Sequence, residues 1–155
     1  MEPANIVKLR DTADRAAAQS GATEVPDQGF PEASGGGTGL DVFARLRLPL
    51  ATSAAVLTEL FHLVGDDPRD VGAAWTFIRA GAVTVLPISD GDLPDLDALM
   101  RKYRDRPMDV ADATLVHLAR RESLSTIFTI DHDDFDTYRI DGRKRLRVLP
   151  PRRPG

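Results

Sequence analysis

No cysteine occurs in the 155 residues, which excludes disulfides, thiol catalysis and thiolate metal sites. No apolar run approaches the roughly 18 residues of a membrane span. The first stretch, MEPANIVKLRDTADRAAAQ, lacks the apolar core of a signal peptide. A global basic field is missing too: the formal net charge is −4, so any contact with nucleic acid must come from a local patch. These absences point to a cytoplasmic, bacterial-type protein with no membrane attachment. Several common chemistries are also absent. GGGTG (35–39) has neither the Lys-Ser/Thr of a phosphate loop nor a readable strand before it. There is no Gly-x-Ser-x-Gly elbow. His62, His117 and His132 lack zinc spacing and read as surface or internally satisfied histidines. The single Glu-x-x-His, Glu59 to His62, lacks the second copy that a di-iron bundle requires.

What remains is one globular core. Hydrophobic residues are 42% and charged residues 28%, enough for a single domain of ordinary kind. Residues 1–39 are rich in Ala, Gly, Pro and Ser and partly linker-like, above all GFPEASGGGTG (29–39). The patterned domain runs over 40–150, and 151–155 form a tail. Its first piece, DVFARLRLPL (41–50), starts as a short helix and turns extended near Leu48–Ala51. Thr52 or Ser53 caps a helix over about 53–64. Asp67-Pro68 restarts a helix whose inner face is Val71, Ala74, Trp75 and Ile78, ended by Gly81. AVTVLPI (82–88) and STIFTI (125–130) are short apolar runs with the look of buried strands. Between them, Leu93, Leu96, Leu99, Met100 and Tyr103 recur at helical spacing. Asp109 caps a further helix with Val110, Ala113, Leu115, Val116 and Leu118 inward. RLRVLP (145–150) suits a last, exposed strand. Helices alternating with apolar strands predict an α/β domain with a mainly parallel sheet, whose ligands bind at the carboxyl ends of the strands.

Carboxylates stand where the apolar pattern starts, ends or is interrupted. Glu59 lies mid-helix among apolar residues, Asp112 in the first turn after Asp109, and Asp131 directly after STIFTI. Each has a plain alternative: Glu59 a solvated helix edge, Asp112 a partner of the helix dipole, Asp131 the start of a turn-rich DHDD. If they converge, their repulsion raises their proton affinity unless a cation is present. All-oxygen donors suit a hard ion such as Mg²⁺ or Mn²⁺, which favours phosphoryl chemistry. Basic residues gather over 139–155, where seven Lys/Arg face one acid for a net +6, and again at Arg101, Lys102, Arg104 and Arg106. They are either solvated ends or a phosphate-contacting rim.

TSAAVLTELFHLVG and MDVADATLVHLARRESLSTIFTIDHDDF, with their spacing, resemble PIN-domain ribonucleases, most closely VapC-type toxins of bacterial toxin–antitoxin pairs. The resemblance covers roughly 40–150. It implies a three-layer α/β/α domain, endoribonuclease activity dependent on Mg²⁺ or Mn²⁺, an RNA substrate, a homodimer and an inhibitory antitoxin. Glu59, Asp112 and Asp131 match the family's metal-site acids, and Thr129 matches the hydroxyl that supports the last of them. The family also begins with a buried strand ending in Asp, followed by Thr or Ser. Here the nearest Asp-Thr is Asp11-Thr12, after NIVKLR. In IVKLR, Lys8 and Arg10 suit an edge strand. Asp11 is the possible first acid, through a longer loop. Otherwise residues 1–39 have departed from the family's N-terminus, leaving an impaired remnant that binds antitoxin or RNA. A lost central strand would expose apolar edges and favour poor stability or oligomerisation.

Overall fold

The computed structural model describes residues 3, 5–8, 47–106, 108–129, 132–149 and 151. Asp11, the linker-like 29–39, the helix expected from 41 and Asp131 lie outside the described residues. The described strands are β1 (Asn5–Val7), β2 (Leu50–Thr52), β3 (Val83–Val85), β4 (Thr126–Phe128) and β5 (Arg147–Leu149). They form one sheet in the order β3-β2-β1-β4-β5, with every pairing parallel. The helices are α1 (Ala54–Val64), α2 (Pro68–Phe77), α3 (Leu93–Lys102), α4 (Val110–Arg121) and α5 (His132–Phe135). They complete the three-layer α/β/α arrangement expected of the sequence. Among the described residues, no helix is long and apolar enough to cross a membrane.

The central strand is β1. Ile6 pairs with Ala51 on one side and Ile127 on the other, and Ile6 and Val7 are fully buried. A strand covered on both faces needs a continuous apolar run, and Ile-Val supplies the shortest version of one. This corrects the edge placement suggested by Lys8. The Lys8 backbone N–H donates to the Phe128 carbonyl at 3.1 Å, carrying the pairing with β4 one residue further. The sheet therefore has its centre filled, and the expected exposure of apolar edges through a missing central strand does not arise.

Local sequence chemistry sets the helix boundaries. Ser53 caps α1, its hydroxyl accepting from the Val56 N–H at 3.3 Å. Asp67 caps α2 ahead of Pro68, its carboxylate accepting from Arg69 N–H at 2.8 Å. Asp109 caps α4 through the Asp112 N–H at 2.7 Å. The chain leaves α2 through a wider turn, Ile78–Ala82, where Gly81 has φ 82°. That left-handed conformation strains any residue with a Cβ. The inner face of α2 is thinner than expected. Ala74 is buried, but Trp75 is 47% exposed and lies against Phe61 with ring centroids 4.7 Å apart. Val110, expected inward, is also exposed, as is Leu93.

Helix α4 is buried almost all round, from Ala111 to Ala119. Such a helix needs apolar surface on every side, and any polar residue on it needs a partner. Three polar residues meet that demand across long sequence distances. Thr114 pairs with the Ser53 hydroxyl at 2.7 Å, His117 Nε2 with Asp92 at 2.9 Å, and Asp112 with Lys8 at 2.6 Å. His117 is thus a core histidine held through Nε2, while its Nδ1 is buried without a hydrogen-bond partner among the described residues, 3.7 Å from the Asp95 carboxylate.

Candidate acidic site at the carboxyl ends of the strands

The strand order builds outward from β1 through β2 to β3, then returns to the other side of β1 for β4 and β5. The reversal places a crevice at the carboxyl ends of β1 and β4, where ligands bind in open parallel sheets. Lys8 follows β1 and Thr129 follows β4. Thr129 is fully buried, and its N–H donates to the Leu149 carbonyl at 2.8 Å. Thr52, at the end of β2, donates its hydroxyl to the Val7 carbonyl at 3.1 Å. With the Lys8 N–H bond to the Phe128 carbonyl, these bonds tie the ends of β2, β1, β4 and β5 into one floor.

Onto this floor project acids from two helices. Asp112 is 3% exposed in the first turn of α4. There the helix dipole favours a negative charge by about 0.3–1 kcal/mol. Asp109, one turn earlier, holds the α4 N-terminus. Glu59 reaches in from the middle of α1, and its Oε2 is buried with no hydrogen-bond partner among the described residues. Burial lifts the Glu59 carboxyl above its usual range. The Asp109 charge and a hydrogen bond to the Asp109 carboxyl lift it further, while Lys8 pulls it down. Tyr138 closes the far side. It is fully buried, its hydroxyl stands 3.4 Å from Asp112 Oδ2, and burial together with the Asp112 and Asp134 charges raises its pKa strongly.

The residue that sequence reasoning missed is Lys8. Its side chain is 2% exposed, and its ammonium donates to Asp112 Oδ1 at 2.6 Å and sits 5.5 Å from the centre of the Phe135 ring. Burying a lone ammonium is prohibitive, but pairing it with a buried carboxylate makes it tolerable. A signal was available: a lysine directly after an apolar pair that forms the first strand. Its partner lies too far along the chain for any periodicity to reveal.

Of the predicted site residues, the structure brings Glu59 and Asp112 to one pocket with Asp109, and places Thr129 at the adjoining strand end. Asp131 and Asp11 lie outside the described residues. The oxygen-only donors are of the right chemical type for Mg²⁺ or Mn²⁺, but the described residues by themselves do not make up a site. Among the described residues, no three acids or histidines are grouped so as to hold an ion, and a cation, the Lys8 ammonium, already stands on Asp112.

The basic rim is only partly available. Arg139 spends Nη1 on the carbonyls of Asp136, Thr137 and Tyr138 at 2.6–2.9 Å. Arg101 bonds Asp97, and Arg106 bonds the Asp133 carbonyl at 3.2 Å. Lys102, Arg104, Arg143, Lys144, Arg145 and Arg147 are exposed. Lys102, with Arg120 and Arg139, lines an open groove of about 240 Å³.

Comparison with known proteins agrees with this geometry. The model of the PIN domain matches residues 40–141. Over 111 residues the chain is 30% identical to ribonuclease VapC26 of Mycobacterium tuberculosis, covering 72% of this chain and 69% of that protein. Strand β1 and Lys8 precede the stretch matched by the domain model. With its parallel sheet, its helix-borne acids and these likenesses, the chain belongs to the PIN-domain family, among the VapC-type ribonucleases.

Proposed function

We propose that this chain is a toxin-type PIN domain that engages RNA in the cytoplasm, pairs with a cognate antitoxin and assembles as a homodimer. Its hydrolysis of RNA phosphodiesters is held low by Lys8. The observation that carries this reading is the Lys8–Asp112 ion pair at 2.6 Å, in the crevice where the family's acids converge. Family membership supports RNA as the substrate class. The exposed lysines and arginines of 143–147 and 102–104 are the local positive charge that an acidic protein needs to hold a phosphate backbone.

A second reading is an efficient metal-dependent endoribonuclease, with Glu59, Asp112 and Asp131 as the ligands of Mg²⁺ or Mn²⁺ and Thr129 supporting Asp131. The unpartnered Glu59 oxygen favours it, since a buried carboxylate oxygen without a donor is a natural place for a cation. One experiment separates the two. RNA binding is measured in EDTA, and RNA cleavage is measured in Mg²⁺ and in Mn²⁺, for wild type, Asp112→Asn and Asp131→Asn. The first reading expects salt-sensitive RNA binding and a cleavage rate no higher than that of the variants. Strong cleavage by wild type, lost in both variants, establishes the second reading. Absence of RNA binding by wild type refutes the first.

A further inference from the structure

We propose that the Lys8 ammonium is a built-in counter-cation: it takes over, inside the fold, the charge compensation that a divalent ion would give to Asp112, so the domain is stable without metal. This deepens the functional reading above and rests on it for the identity of the pocket. Three observations converge. Lys8 emerges from the carboxyl end of the central strand, beside the switch in strand order. By resemblance, that is where the family's first strand ends in an acid. The Lys8 side chain is 2% exposed and meets Asp112 at 2.6 Å, so the pair lies where solvent screens little. Asp112 itself sits on the most deeply buried of the described helices, where an uncompensated carboxylate would oppose folding.

The geometry also explains how an acid pocket persists here. A divalent ion ligated by Asp112 would stand within a few ångströms of a fixed ammonium, and the repulsion offsets about one carboxylate's attraction. Asp112 is thus answered from within the chain, by an ammonium held against it at 2.6 Å. Lys8 is a positioning residue that joins β1 to α4.

The test uses the full chain and Mn²⁺ as the probe, followed by electron paramagnetic resonance and by thermal melting in EDTA and in Mn²⁺. Wild type is expected to melt at the same temperature in both and to bind Mn²⁺ weakly. Lys8→Asp, which exchanges the ammonium for a carboxylate, is expected to bind Mn²⁺ on the order of a hundredfold more tightly or better. It should also melt lower in EDTA than in Mn²⁺. If Lys8→Asp does not fold, Lys8→Met serves: Mn²⁺ should raise its melting temperature, but not that of Lys8→Met/Asp112→Asn, which lacks both charges. Wild type binding Mn²⁺ as tightly as Lys8→Asp, or a Lys8→Met melt indifferent to Mn²⁺, overturns the proposal. RNA binding by wild type in EDTA is read separately, so loss of the functional reading leaves the counter-cation result standing or falling by itself.

Discussion

Lys8→Met in EDTA removes the ammonium, keeps most of the apolar stem and leaves Asp112 ionised at 3% exposure. Breaking a buried pair by removing one partner costs about 3–5 kcal/mol, because the remaining charge is stranded. The Tyr138 hydroxyl still donates to Asp112 Oδ2 at 3.4 Å, but a neutral hydroxyl does not replace a counter-charge. In a chain of this size each kcal/mol lowers the melting temperature by about 2–4 °C, so a fall of about 6–20 °C is expected. Asp112→Asn takes the carboxylate from the ammonium instead and should cost a similar amount. The double variant Lys8→Met/Asp112→Asn strands neither charge and should recover most of the loss. That gives a coupling energy of at least about 1.5 kcal/mol, since charge pairs in direct contact are far from additive. Urea denaturation of the four proteins at neutral pH measures this. Additive single variants, each costing under about 1 kcal/mol, would falsify the buried pair.

Further tests address other features. Glu59→Gln should leave stability unchanged or raise it at neutral pH, because it removes a carboxylate that burial and Asp109 already hold above its usual range; a urea midpoint lower than wild type contradicts this. The Asp92 carboxyl is held down to about 2, chiefly by the Ser89 backbone N–H and hydroxyl and then by His117. The unfolded chain therefore takes up this proton first, near 3.8, so the stabilisation is complete above that pH and fades as pH falls towards 2. Asp92→Asn should accordingly differ from wild type in urea midpoint at pH 6 and converge with it near pH 2. Ser53→Ala loses both the α1 cap and the bond to Thr114, and should destabilise by about 1–2 kcal/mol by urea denaturation. The loss stays modest because the Thr114 hydroxyl still donates to the Ala111 carbonyl at 2.7 Å.

Where local chemistry decides structure, the sequence could be read. Ser53, Asp67-Pro68 and Asp109 cap the helices as expected, since a cap bonds within three residues of itself. The two apolar runs became strands β3 and β4, though only three residues each. Where the deciding partner lies far along the chain, the reading failed. Lys8 looked like an edge residue because nothing near it announces Asp112. Trp75 looked like core by its spacing, but α2 has little beyond Phe61 to cover it. Helix α4 was read as burying Val110, Ala113, Leu115, Val116 and Leu118, but its polar Asp112, Thr114 and His117 are also buried, each against a partner from another element. The same held at the site. Glu59, Asp112 and Asp131 were singled out from their pattern positions, each with a plain alternative, whereas the ammonium on Asp112 was not foreseen.

The place of β1 in the sheet also bears on the order of events during synthesis. This strand leaves the ribosome before both of its neighbours, β2 and the much later β4. Until β4 has emerged, Ile6 and Val7 have no second flank, and the crevice between β1 and β4 has only one wall. Slow, non-local pairing of this kind is characteristic of parallel sheets. The pocket that gathers Lys8, Glu59 and Asp112 is therefore a late product of folding, assembled only when nearly the whole domain has been made. A chain that stops between α4 and β4 carries all three residues but only one wall of the pocket.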